Sequence, residues 1–180
     1  MAGIDDVEQI ESSSGDPSIK VVVVGDDSIG KSCFVTRYVN EEFDPFQPVT
    51  IGSYFLTKTV KHSGTVSKLQ IWDTVGHERY YRLVDSYCQQ AKGILVLFDL
   101  TNVNSFLNVH NLWITKGSPS CHKVLVGCKC DLVDARQVSE DMIKEFTTSQ
   151  GLGYFETSAK FGVNINEAFL EIYKRIISSS

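Results

Sequence analysis

Apolar and polar positions follow two rhythms along this chain, one of period two and one of period three to four. After Ile19 and Lys20 come four valines, Val21 to Val24, closed by Gly25. A short β-branched run of this kind predicts a strand over Ile19–Val24, buried on both faces. Farther on, Leu69 and Ile71 alternate with Lys68 and Gln70, as a strand with one covered face requires. Tyr54–His62 and Val66–Trp72 flank a Ser-Gly-Thr turn and predict an antiparallel hairpin. Gly93–Phe98, Val124–Gly127 and Tyr154–Glu156 read as three more short apolar strands.

Helical spacing separates these strands. A helix is expected from Lys31 to about Val39. The last helix is the clearest, with Ile165, Ala168, Phe169, Ile172 and Ile176 on one face. Asn164 and Glu167, three apart, suggest a capping box at its start. Strands alternating with helices imply an α/β fold: a six-stranded, mostly parallel sheet with one antiparallel edge strand and about five helices on its two faces. Ligands of such sheets bind at the carboxyl ends of the strands. The functional loops should therefore follow Val24, Trp72, Val126 and Phe155.

Composition narrows the class. The 180 residues suit one domain, and 42% apolar with 22% charged residues is ordinary for a soluble globular protein. A net charge of −5 gives no reason to expect nucleic-acid binding. No apolar run approaches the roughly 20 residues needed to span a bilayer. The opening "MAGIDDVEQIESSSGDPS" carries Asp5, Asp6, Glu8, Glu11 and Asp16 but no Lys or Arg. Residues 1–18 are therefore expected to form a disordered acidic tail rather than a secretory signal. Residues 19–177 form the folded domain and 178–180 a short tail. Five cysteines, an odd number, without a secretory signal suggest reduced thiols in a cytoplasmic protein. Cys128 and Cys130 are spaced C-x-C, without a second Cys or His pair at zinc-finger spacing, so they read as small buried hydrophobes.

Two loops carry chemistry. "GDDSIGKS", Gly25–Ser32, satisfies G-x-x-x-x-G-K-[ST] between a strand and a helix. The backbone N–H groups of such a loop cradle phosphate oxygens, a lysine like Lys31 reaches the β- and γ-phosphates, and a hydroxyl like that of Ser32 binds Mg²⁺. A turn without a ligand is the alternative. In "WDTVGHE", Asp73 ends an apolar strand, where a buried carboxylate is costly unless a cation is near. A Mg²⁺ ion held through water supplies that partner, and Gly76 lets a backbone N–H approach a terminal phosphate. The alternative for Asp73 is a cap on the next helix.

With these motifs the chain resembles the Ras-like small GTPases, and among them the Rab branch, from about Ile19 to Ile177. The resemblance rests on "GDDSIGKS", Thr50 in "PVTIG", "KLQIWDTVGHERY", "LVLFDLT", "GCKCDL" and "ETSAK". It implies a P-loop G domain that binds GTP or GDP with Mg²⁺, the metal being held by Ser32, Thr50 and Asp73. The nucleotide would lie on Asp27, Ser28, Ile29, Gly30, Lys31, Ser32 and Cys33, with Thr50 and Gly76 at the terminal phosphate. Asp131 would accept both N–H donors on the guanine edge, and Lys129 would lay its stem across the base. Ser158 would brace Asp131, the Ala159 N–H would reach the guanine O6, and Lys160 would pack nearby. Phe43 matches the aromatic that leans on the base. The resemblance implies Lys31, Thr50 and His77 as the catalytic positions.

Several positions depart from the family pattern. Cys128 replaces the asparagine of the base-reading loop, and a thiol is a weaker hydrogen-bonding group. His77 stands where the family has the water-orienting glutamine. Asp27 adds like charge beside the γ-phosphate and would crowd an activator's arginine, unless it points to solvent. Two readings follow: a Rab-like switch of membrane traffic with slow GTP hydrolysis, or a pseudo-GTPase that binds nucleotide weakly or without turnover. An ATP-using P-loop protein is a third, weaker one, which Asp131 and "ETSAK" disfavour. Effectors, exchange factors and activators would read the loops around Thr50 and Gly76–Arg82, with Phe55 and Trp72 offering aromatic surface. The ending "YKRIISSS" contains no cysteine for prenylation. A cytosolic protein, brought to endomembranes through partners or forming part of a longer chain, is expected.

Overall fold

The computed structural model describes residues 18–48, 50 and 53–179. The acidic tail expected at the N-terminus therefore lies, apart from Ser18, outside the described residues. The strands are β1 Ser18–Val24, β2 Tyr54–His62, β3 Thr65–Asp73, β4 Gly93–Asp99, β5 His122–Cys128 and β6 Gly153–Thr157. The helices are α1 Lys31–Asn40, α2 Tyr81–Cys88, α3 Val103–Asn111, α4 Glu140–Gln150 and α5 Ile165–Ile177. One sheet holds all six strands in the order β2-β3-β1-β4-β5-β6. Only the β2–β3 pair is antiparallel, so the expected architecture is the observed one.

The valine run sits at the centre of the sheet, where it is buried on both faces because each side carries helices. Ile19, Val21 and Val23 face α1 and α5, joining Phe34, Tyr38, Phe169 and Ile172 in one apolar layer. Val22 and Val24 point the other way, into a layer with Val84, Phe106, Trp113 and Ile143. This is period-two alternation with both faces apolar. The hairpin closes through Ser63 and Gly64, both at positive φ (50° and 81°), the two-residue turn that matches strand twist.

Most strands run one or two residues beyond their apolar cores. β5 begins at His122, whose N–H donates to Lys92 O at 3.1 Å, because ladder hydrogen bonds do not require apolar side chains. The capping box proposed for α5 does not form. Asn164 stands before the helix at a left-handed φ of 54°, and its Nδ2 donates to Glu156 O at 2.8 Å instead of its side chain capping the helix. The five apolar residues assigned to the inner face of α5 are all buried. Cys88, Cys121 and Cys128 are buried free thiols, while Cys33 and Cys130 are partly exposed. No helix among the described residues is long and apolar enough to cross a membrane.

Candidate nucleotide site

Val24 delivers the chain to Gly25, whose φ of 146° and contact with Leu97 leave no room for a side chain: a Cβ there would lie 2.4 Å from Leu97 O. The loop then climbs to Gly30, which starts α1 at φ 100°. Asp27 Oδ1 accepts the Ser28 N–H at 2.9 Å while Ser28 itself takes a positive φ of 61°. Asp27 is exposed but lines the cavity above the loop. Lys31 is buried, and its Nζ donates to Asp26 O at 2.6 Å. Burial pulls the Lys31 pKa down, while the charges of Asp73, Asp27 and Asp26 oppose that shift. A buried ammonium of this kind is poised for an anion.

Asp73, Ser32 and Thr50 converge from three segments. The Ser32 hydroxyl donates to Asp73 Oδ2 at 2.5 Å, and Thr50 Oγ1 lies 2.6 Å from the same Ser32 oxygen. Asp73 is fully buried, and its Oδ1 has no hydrogen-bond partner among the described residues. Burial raises its pKa, against the lowering effects of Ser32, Lys31 and Tyr54. A hard-oxygen cluster with an orphaned buried carboxylate oxygen fits a divalent cation such as Mg²⁺. The alternative, Asp73 as a helix cap, does not describe this arrangement: its hydroxyl donor is Ser32, and His77 caps the next turn. Gly76 lies against the phosphate loop so closely that a Cβ would stand 2.3 Å from Asp27 N and from Asp26 C. Only glycine permits that approach.

Asp27, Ser28, Gly30, Lys31, Ser32, Cys33, Thr50 and Gly76 line a cavity of about 240 Å³. A second cavity, about 320 Å³, shares Ser28, Gly30 and Cys33 with the first and adds Ile29, Phe43, Cys128, Lys129, Asp131, Ala159 and Lys160. Lys129, at φ 63°, reaches Asp99 Oδ2 at 2.6 Å and Ser28 O at 3.2 Å, tying the base-side loop to the phosphate loop. Burial pushes the Cys128 thiol up to about 12, so it is protonated at neutral pH. Ser158 is fully buried, and its hydroxyl oxygen accepts the Phe161 N–H at 3.2 Å. His77 is exposed and lies outside both linings. Its Nδ1 accepts the Arg79 N–H at 3.2 Å, which leaves the neutral ring's proton on Nε2.

Sequence reasoning missed four side chains that shape this region. Arg37, on α1, donates from Nε to Ala159 O (2.6 Å), from Nη2 to Lys160 O (3.0 Å) and from Nη1 to Glu41 O (2.6 Å). Asp26 is clamped by Asn108 Nδ2 at 2.7 Å and Trp113 Nε1 at 2.6 Å, fixing the phosphate loop to α3 and the turn after it. Gln47 lines the phosphate cavity. Tyr87 extends the aromatic row of Phe55 and Trp72, with ring centroids 5.3 Å (Phe55–Trp72) and 5.1 Å (Trp72–Tyr87) apart. Apart from the Arg37–Glu41 bond within one helical turn, these contacts join residues well separated in the chain, so they carry no local sequence signal.

A strand, a glycine-bounded phosphate loop and a helix, with a buried lysine and a cation-ready oxygen cluster, define a P-loop nucleotide-binding domain. The family model described as "Ras family" matches residues 20–178. "Ras-related protein Rab-22A" of Mus musculus is 39% identical over 165 residues, covering 89% of this chain and 84% of that protein. "GTP-binding protein YPTM1" of Zea mays is 38% identical over 172 residues, 93% of this chain and 82% of that protein. "Ras-related protein Rab5A" of Oryza sativa subsp. japonica is 39% identical over 162 residues, 88% and 79% respectively. The chain belongs to the Ras family of small GTPases and is a Rab-like member.

Proposed function

We propose that this chain is a Mg²⁺-dependent guanine-nucleotide switch with slow GTP hydrolysis, acting in vesicle traffic. The observation that carries the reading is the pair of adjoining cavities sharing Ser28, Gly30 and Cys33. One is lined by a buried lysine beside a cation-ready cluster, the other by both Asp131 and Phe43. Together they match a ligand with phosphates at one end and a purine at the other. Ser32, Thr50 and Asp73 would hold Mg²⁺, which when bound neutralises phosphate charge. Lys31 supplies a positive charge to the phosphates. Asp131 selects guanine, because adenine presents no pair of donors to a carboxylate. Ser158 supports the Asp131 loop from a buried position, and Thr50 and Gly76 sense the terminal phosphate through the segments that carry them.

Effectors, exchange factors and activators would read those segments and the Phe55–Trp72–Tyr87 surface, on which Lys20 Nζ stands 4.6 Å from the Trp72 ring. A location at the cytosolic face of endomembranes, through partners, follows the Rab-like character of the chain. The second reading, a pseudo-GTPase scaffold, is favoured by one observation: the His77 ring is turned to the Arg79 backbone N–H. Nucleotide released from the purified protein and identified by chromatography tests the binding claim, and GDP or GTP is expected. Single-turnover hydrolysis then separates the readings, since a scaffold gives no product above the uncatalysed rate.

A further inference from the structure

The phosphate cavity contains a polar side chain that none of the family motifs assigns. Gln47 lies three residues before Thr50 and lines the cavity with Lys31, Ser32, Thr50 and Gly76. Its backbone N–H donates to Asp44 O at 3.3 Å, within a turn where Asp44 Oδ1 also accepts the Phe46 N–H at 2.8 Å. One end of its carboxamide is held: Nε2 donates to Thr36 Oγ1 on α1 at 3.3 Å. The other end is not. Gln47 Oε1 is buried and has no hydrogen-bond partner among the described residues. A buried acceptor without a donor is uncommon enough to require a reason, and a ligand or water that belongs there is one.

We propose that Gln47 is the water-positioning residue of the terminal-phosphate site, in the place that His77 does not reach. The proposal rests on the guanine-nucleotide reading above and deepens it. Holding a water in line with a phosphoryl group takes an acceptor for one of its protons and a donor toward the phosphate. A carboxamide carries both on one rigid plane. Oε1 is the spare acceptor, and Nε2 keeps a second N–H beyond the one given to Thr36. Apart from the exposed Ser28, the other polar side chains of the cavity are committed or mismatched. Ser32 is engaged with both Thr50 and Asp73, its contact with Thr50 also occupies the Thr50 hydroxyl, and Thr74 Oγ1 donates to Val23 O at 2.7 Å. Asp27 brings negative charge, which repels the phosphate. His77 has given its one neutral-ring acceptor to Arg79.

The step balances without net proton transfer to Gln47. The water oxygen forms a bond to the γ-phosphorus. The bond from that phosphorus to the β–γ bridging oxygen breaks, its electron pair leaving with GDP. Both of the water's protons end on the released phosphate, one on the new P–O oxygen and one on another phosphate oxygen. Gln47 contributes alignment, the component that governs a reaction with little covalent work for the protein to do.

The test uses the whole chain, wild type and with Gln47→Ala or Gln47→Glu. Three quantities are measured: affinity for fluorescent GDP, affinity for GDP with aluminium fluoride (a stand-in for the transferring phosphoryl group), and single-turnover hydrolysis. Gln47→Ala should leave GDP affinity within about twofold and lower both the aluminium fluoride affinity and the hydrolysis rate about tenfold or more. Gln47→Glu keeps the size and an acceptor but adds charge, and should lose both to a similar or greater degree. If GDP binds the wild type but Gln47→Ala changes neither, the proposal is overturned. An equal loss of GDP and aluminium fluoride binding overturns it too, because Gln47 would then be a general support of the site. A wild type that binds no guanine nucleotide instead sinks the underlying functional reading.

Discussion

Arg37 offers a strong test of how this fold shapes its base pocket. It lies on α1, yet its guanidinium holds Ala159 O, Lys160 O and Glu41 O. The first two carbonyls belong to the loop whose Ala159 N–H is assigned to guanine O6. A hydrogen bond from a charged donor contributes about 1.5–3 kcal/mol when desolvated. Only the Ala159 bond is part-buried, and the other two are exposed. We therefore assign about 1–2 kcal/mol to the first and at most a few tenths each to the others, for a total near 2 kcal/mol. If half of this holds the loop in its base-reading shape, Arg37→Ala should speed GDP dissociation roughly fivefold. Lysine at this position carries one point charge and cannot span three carbonyls, so Arg37→Lys should recover less than half of the loss. Urea unfolding measures the stability term, and chase of fluorescent GDP by unlabelled GDP measures the dissociation rate. A variant that loses stability but releases GDP at the wild-type rate would refute the idea that Arg37 shapes the pocket.

Other expectations follow from the same geometry. Cys128→Asn should slow GDP release by about one decade, since it restores a neutral hydrogen bond of about 0.5–1.5 kcal/mol; unchanged release in the chase assay counts against the base-loop assignment. Lys31→Ala and Ser32→Asn should each abolish measurable GDP binding by calorimetry while circular dichroism stays native. His77→Gln should raise single-turnover hydrolysis severalfold, and Asp27→Gly should raise it further by removing like charge; no gain in the double variant would show that neither departure limits the rate. The Arg136–Glu156 pair (2.7 Å) holds the Glu156 carboxyl below its ordinary value, chiefly through the Arg136 hydrogen bond with help from Tyr154. Its stabilisation, about 0.5–1 kcal/mol once solvent screening of this partly exposed pair is allowed for, is present above the unfolded carboxyl pKa and lost as pH falls through the folded one. The urea midpoint of Glu156→Gln should therefore lie below wild type at pH 7 and converge with it in acid.

Where sequence and structure agree, the cause is local. The valine run and the "GILVLF" run need both sheet faces covered, and this requirement is written in each residue. The phosphate loop was legible because Gly25, Gly30 and Lys31 serve the backbone of their own segment. Asp73 was legible because a carboxylate ending an apolar strand needs a cation wherever the chain goes next. Where local reading failed, a tertiary partner decided. Asn164 and Glu167 have the spacing of a capping box, but the Glu156 carbonyl on β6 takes the Asn164 amide and the backbone turns left-handed. Arg37 is 122 residues from Ala159, and Trp113 is 87 from Asp26, so no window along the chain contains either pair.

The same distinction bears on chemistry. A motif places His77 in register with a water-orienting residue, but register specifies a Cα position and not the aim of a side chain. A glutamine can extend past its own backbone, whereas imidazole Nδ1 sits close enough to accept the N–H two residues on and caps the turn there. The phosphate cavity meets its need for a neutral donor–acceptor group from the opposite wall, where Gln47 is anchored to α1 through Thr36. A substitution that looks disabling in an alignment of motifs thus moves the question to the other segment facing the same phosphate. The relevant comparison is between the free hydrogen-bonding groups around the cavity, and among the described residues lining it Gln47 Oε1 is the buried neutral acceptor left open.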